Sequence, residues 1–142
     1  CVAIGNSTGN QVQGASAVAI GDEAGRLYQG TLSVAIGHDA GENTQGTSAV
    51  AIGDTAGNVS QGNNAIAIGK GAGQTFQGQD AIAIGRLAGG STQAANTIVL
   101  NASGIAVNGP TSDRFYVRPI RQGSGTTHPL YYNSSTYEIY YT

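Results

Sequence analysis

"AVAIGDTAGNVSQGNN" occupies Ala49–Asn64, and "AIAIGKGAGQTFQGQD" follows at Ala65–Asp80. The second stretch restates the first in sixteen residues, with few large side chains in either. The period runs without insertion through six copies. Gly5, Gly21, Gly37, Gly53, Gly69 and Gly85 form one column, and Gly9, Gly25, Gly41, Gly57, Gly73 and Gly89 a second. Gly14, Gly30, Gly46, Gly62 and Gly78 form a third, closed by Ala94. A glycine content of 23 residues would suit a disordered chain, but disorder has no need to hold glycines in phase.

Within each copy, "VAIG" or "IAIG" alternates β-branched residues with alanine, the period of a strand. Val50 and Ile52 share one face and Ala51 takes the other. A second, shorter strand is expected at the variable pair before "QG". Helix is disfavoured, since each in-phase glycine costs about 1 kcal/mol relative to alanine. Two strands and two corners make one coil of a solenoid, with successive coils stacked about 4.8 Å apart as in a parallel sheet. The fold class expected is therefore all-β, a parallel β-roll or solenoid of sixteen-residue coils over 1–96. Residues 97–142 supply a last coil and a β-rich C-terminal cap or neck.

Three columns carry expected roles. Ile4, Ile20, Ile36, Ile52, Ile68 and Ile84, continued by Leu100, are expected to form the apolar core. Gln13, Gln29, Gln45, Gln61, Gln77 and Gln93 recur in every copy, and stacked amides can hydrogen-bond along a column. A core this thin offsets little chain entropy. The Ala3, Ala19, Ala35, Ala51, Ala67 and Ala83 stripe is accordingly expected to pack on other copies of the chain, as a trimer interface.

The motif "SVAIG" at Ser33–Gly37, with its variants "AVAIG" and "AIAIG", resembles the head repeats of trimeric autotransporter adhesins such as the Yersinia adhesin. That resemblance implies a left-handed, homotrimeric β-roll. The adhesin repeat is nearer fourteen residues and often has Ser where this chain has Ala. The sixteen-residue form looks more like fibre proteins of phages and giant DNA viruses. "NTIVLNASG" (96–104), "RFYVRPIR" (114–121) and "LYYNSSTYEIYY" (130–141) are similar in order to the segment preceding an endosialidase-type intramolecular chaperone in such fibres. The resemblance implies a structural trimeric fibre or spike on a virion surface or otherwise extracellular, with host attachment as an added role. The alternative is a bacterial adhesin head that binds host matrix or a receptor. A third class is a fibre whose enzymatic activity lies in a separate domain. The implied partners are two further copies of the chain and a host-surface glycan or receptor. Starting at Cys1 with no targeting signal, the sequence reads as a fragment or processed chain.

The C-terminal segment reads as strands around Ile105–Asn108 and Asp113–Ile120, a connector at Gln122–Thr127, and a hairpin of Leu130–Tyr132 with Tyr137–Tyr141. Six of the seven tyrosines lie here, suited to capping and trimer contacts, or else to a sugar-binding surface.

No catalytic or metal-binding constellation is evident, and no cofactor is implied. Cys1 is the only cysteine, in a slot otherwise filled by small residues. His38 sits in a tolerant corner slot shared with Asp22, Asp54, Lys70 and Arg86, and His128 stands alone. "GKGAG" at Gly69–Gly73 lacks the GK[ST] ending of a phosphate loop. Facing carboxylate pairs of the glycosidase kind do not recur. Six Lys and Arg in a chain of net charge −2 do not make a nucleic-acid face, and no apolar run reaches membrane-spanning length. Sequons start at Asn6, Asn58, Asn101 and Asn133. The variable residues before each Gln, including Arg26, Leu27, Tyr28, Val59 and Phe76, are the expected recognition surface. Tyr28 and Phe76 share one repeat slot and are the candidate ligand contacts, since an exposed ring can stack on a sugar.

Overall fold

A computed structural model describes residues 1–120 and 130–141. All regular structure among them is β, stacked as a solenoid of about seven turns. The first strand of each coil joins one parallel sheet: β1 (Val2–Ile4), β2 (Val18–Ile20), β4 (Val34–Ile36), β6 (Val50–Ile52), β8 (Ile66–Ile68), β10 (Ile82–Ile84), β12 (Ile98–Asn101) and β14 (Phe115–Arg118). The second strands form the other sheet: β3 (Leu27–Gln29), β5 (Asn43–Gln45), β7 (Val59–Gln61), β9 (Thr75–Gln77), β11 (Ala88–Gln93) and β13 (Val107–Gly109). Up to β9, first and second strands alike are three residues long, so the second is not the shorter one. Like stacks on like: Val50 aligns with Ile66, Ala51 with Ala67 and Ile52 with Ile68.

The glycine columns serve two different needs. Gly53 lies at φ +128°, a region closed to other residues, and a Cβ there would sit 2.8 Å from the Gly69 carbonyl carbon. Gly46 has an ordinary φ; its constraint is proximity, since a Cβ would sit 2.5 Å from the Asn63 nitrogen. Glycine therefore sets how closely coils can stack as well as how they turn.

The interior reverses the expected roles of two columns. Ala19, Ala35, Ala51, Ala67 and Ala83 are fully buried inside the coil, where they meet Ala24, Ala40, Ala56, Ala72 and Ala88 from the corners. Ala3, in the terminal coil, is exposed. The alanine stripe is thus the core and not a trimer interface. The isoleucine column lies outside: Ile4 is exposed, Ile20, Ile36 and Ile52 are half-buried by their stacked neighbours, and Ile68 and Ile84 are exposed. The cause is cross-section. Opposite the alanines stand the glutamines, and their side chains reach far enough across that a Cβ on Gly57 would lie 2.8 Å from the Gln61 amide carbon. Alanine fills what remains; a β-branched side chain does not fit.

The stack continues past Leu100. Phe115–Arg118 aligns with Ile98–Asn101, one residue later than the repeat would place it. Asn101 takes the glycine slot and donates its amide to the Arg86 and Ile105 carbonyls, each at 2.7 Å. Larger side chains enter the interior here: Val99 follows Ala83, and Tyr116, half-buried, follows Val99 and packs on the core, while Gly109 replaces the glutamine of the facing strand. The ring thereby plugs the end of the alanine column. β15 (Leu130–Asn133) and β16 (Glu138–Tyr141) form the antiparallel hairpin. The expected connector Gln122–Thr127 and His128 lie outside the described residues.

Candidate interaction surface

Because alanine occupies the inside of the first sheet, the outside carries the large apolar residues. Two columns run its full height. One is Val2, Val18, Val34, Val50, Ile66, Ile82, Ile98 and Phe115; the other is Ile4, Ile20, Ile36, Ile52, Ile68, Ile84, Leu100 and Val117. Eight rungs at about 4.8 Å make a face roughly 34 Å long. Each rung shields the next, yet Val2, Ile4, Ile68, Ile84, Ile98, Phe115 and Val117 remain exposed. A contiguous apolar surface of this kind marks an association site in soluble proteins.

The outside of the second sheet is mixed. Tyr28 and Phe76 both stand exposed, three coils apart, with Thr44 and Ser60 in the same slot between them. All four adopt a left-handed backbone, at φ of 53–59°. Arg26 and Leu27 beside them are half-buried, as is Val59.

The glutamine column runs as a hydrogen-bonded row over part of its length. Gln45 donates to Gln61 at 3.2 Å, Gln61 to Gln77 at 3.1 Å, and Gln77 to Gln93 at 3.1 Å. Each amide also donates to a first-strand carbonyl, as Gln61 does to Val50 at 2.8 Å. Gln13 and Gln29 keep this second bond, to Val2 and Val18. The Gln29 and Gln45 amide oxygens are buried with no partner, so the row starts only at Gln45. These side chains tie the two sheets together.

The corner slots hold ionic ladders that a one-coil view of the sequence misses. Asp54 accepts from Lys70 at 2.6 Å and meets His38 at 3.2 Å, each partner one coil away. Arg26 bridges Glu23 at 3.0 Å and Glu42 at 2.5 Å, and Asn58 donates to Glu42 at 2.9 Å. The signal was present as opposite charges spaced sixteen apart, Arg26 with Glu42 and Asp54 with Lys70. The hydrogen bond to Asp54, reinforced by the Asp39 charge, raises the His38 pKa above its ordinary value. Asp54 is held below the usual carboxylate range by Lys70 first and His38 second. Asp80 is lowered by hydrogen bonds from Asn64 and Gln79.

Glu23, Asp39 and Glu42 bring three carboxylate oxygens within 4.8 Å of one another, and the Arg26 guanidinium already pairs two of them. Cys1 is exposed and donates its thiol to the Gly14 carbonyl at 3.1 Å. Among the sequons, Asn101 is buried and its side chain fully engaged, which closes that site to a glycan. No protein-family model matches the chain, and neither the curated proteins nor the solved structures include a match.

Proposed function

We propose that the chain is a structural segment of a homotrimeric surface fibre or spike, lengthened by stacked coils and assembled through its Val/Ile face. The observation that carries this reading is the inversion itself. The coil interior holds almost nothing larger than alanine and glutamine, while sixteen larger apolar side chains line one outer face. Fully burying one Val or Ile side chain is worth about 1.5–3 kcal/mol. Association therefore supplies burial that a single narrow solenoid lacks. A face whose apolar rungs stack in parallel register suits parallel copies related by rotation about an axis along the stack.

The trimer, the left-handed winding and the virion surface come from the resemblance of "SVAIG" and the C-terminal strand order to viral fibres. Host attachment, to a glycan or a receptor, belongs to the variable second sheet on this reading, where Tyr28 and Phe76 stand clear of the assembly face. The test is the solution mass of residues 1–142 by light scattering coupled to size exclusion. A mass of three chains supports the reading; a folded monomer refutes it.

A further inference from the structure

The four sequons are held very differently. A sequon offers two groups to the transfer of a sugar: the asparagine Nδ2, which takes it, and the hydroxyl of the third residue. At Asn101 both are engaged, since Nδ2 donates to the Arg86 and Ile105 carbonyls at 2.7 Å each and Ser103 Oγ donates to Asn101 Oδ1 at 2.7 Å. At Asn58, Nδ2 donates to the Asp39 carbonyl at 3.1 Å and to Glu42 at 2.9 Å, which uses both its hydrogens. At Asn6, Nδ2 donates to Asp22 at 2.9 Å and Thr8 Oγ1 donates to the Gly21 carbonyl at 2.6 Å. Each of these three asparagines ties one coil to a neighbouring coil, so a sugar there works against a stacking contact. Asn133 is different. It ends β15 at the hairpin turn, where its backbone carbonyl accepts from the Tyr137 N–H at 2.8 Å. Its Oδ1 accepts from the Ser135 N–H at 2.9 Å and the Thr136 N–H at 3.2 Å. Its Nδ2 and the Ser135 hydroxyl donate to nothing among the described residues, and Ser134, Ser135 and Thr136 are exposed.

We infer that Asn133 is an N-glycosylation site, which takes an oligosaccharide from a lipid-diphosphate donor. The bond formed joins Nδ2 to the anomeric carbon, and the bond broken joins that carbon to the diphosphate oxygen. Nδ2 gives up one proton, and the lipid diphosphate leaves with the electron pair. The two N–H groups on Oδ1 draw electron density out of the amide and favour loss of that proton, because hydrogen bonds to the more negative form stabilise it. Both bonds to Oδ1 survive the transfer, so the modified residue keeps the turn. Strand alternation sets Asn133 on the face opposite Tyr132, which directs the glycan away from the Leu130 and Tyr132 side of the hairpin. The inference concerns the hairpin alone and stands apart from the assembly proposed above.

The test expresses the full chain behind a cleavable signal peptide in a eukaryotic cell line, which supplies the transferase and the donor. Chain from the medium and chain retained in the cells are read alike, by intact mass and by peptide mass after glycan release with a glycosidase in heavy-oxygen water. The expected result is a glycan whose release leaves heavy-oxygen aspartate at position 133. Asn133→Gln and Ser135→Ala are expected to lose it, and Ser135→Thr to keep it. Asn6→Gln and Asn58→Gln are expected to leave the glycan mass unchanged. A peptide spanning Asn133 that carries no sugar in either fraction overturns the inference, as does a glycan mass that stays undiminished in Asn133→Gln.

Discussion

The two outer faces of the solenoid have the same stacking, the same strand direction and much the same interior boundary, yet opposite characters. Outside the first sheet every coil from β1 to β10 presents Val or Ile at two positions. Outside the second sheet, one slot runs through Tyr28, Thr44, Ser60 and Phe76. Stacking alone tolerates all of these, because the second sheet stacks as regularly as the first. On the reading proposed above, a partner surface of the same kind is what holds the first face constant. The variable face shows the range of side chains that stacking itself permits.

Substitutions on either side of one strand separate the two causes. The largest effect is expected inside. Ala51→Leu forces a side chain into a fully occupied interior, where overpacking costs about 1–3 kcal/mol or more. Thermal unfolding is expected to shift sharply downward; an unchanged transition would place residue 51 outside. Next is Gln61→Ala, which strips the Val50 carbonyl and the Gln77 amide oxygen of a donor. Leaving buried partners unsatisfied costs about 1–3 kcal/mol each, so chemical denaturation should register a clear loss of stability. A loss below half a kcal/mol would show that the amide row is dispensable.

The variable face is expected to respond in the other direction. Tyr28 holds a left-handed backbone that asparagine adopts more readily, and its ring is exposed. Tyr28→Asn is expected to leave stability unchanged or raise it by less than about 1 kcal/mol; destabilisation would reveal a contact made by the ring. The smallest effect belongs to the corner. His38 carries a raised pKa because of Asp54, so its protonated form is favoured in the folded state. Its contribution is present below the ordinary histidine pKa and fades as pH rises through the raised value. In Asp54→Asn the His38 titration, followed by NMR, is expected to move back down. A midpoint that stays put would assign the shift to the Asp39 and Asp22 charges instead.

Much of this architecture was readable in the chain. The sixteen-residue phase of Gly53 and its column marks one corner per coil, and Val50-Ala51-Ile52 marks a strand with two unlike faces. Which face turns inward was not readable from alternation, because period two only separates faces. The usual rule of larger apolar residues inside points the wrong way here. The deciding quantity is the gap between the sheets, and Gln61 reaching toward Gly57 sets it. That information sits in residues ten apart and only the packed coil combines them. The ionic ladders lay in a slot that reads as merely tolerant: Asp54 and Lys70 share it one coil apart, and stacking turns that shared slot into an ion pair. At the C-terminus the repeat fades into a seventeen-residue step, which left β14 visible as strand-forming sequence but not as another rung.

The measurement that bears most directly on this account is the solution mass and circular dichroism of Ile52→Asp/Ile68→Asp beside the parent chain. The account predicts a parent of three chains and a variant of one, with the strand signal intact. Charges on an outer face break the assembly and spare the coil. A variant that remains trimeric would remove the Val/Ile face from the interface, and a variant that loses its strand signal would put these side chains back inside.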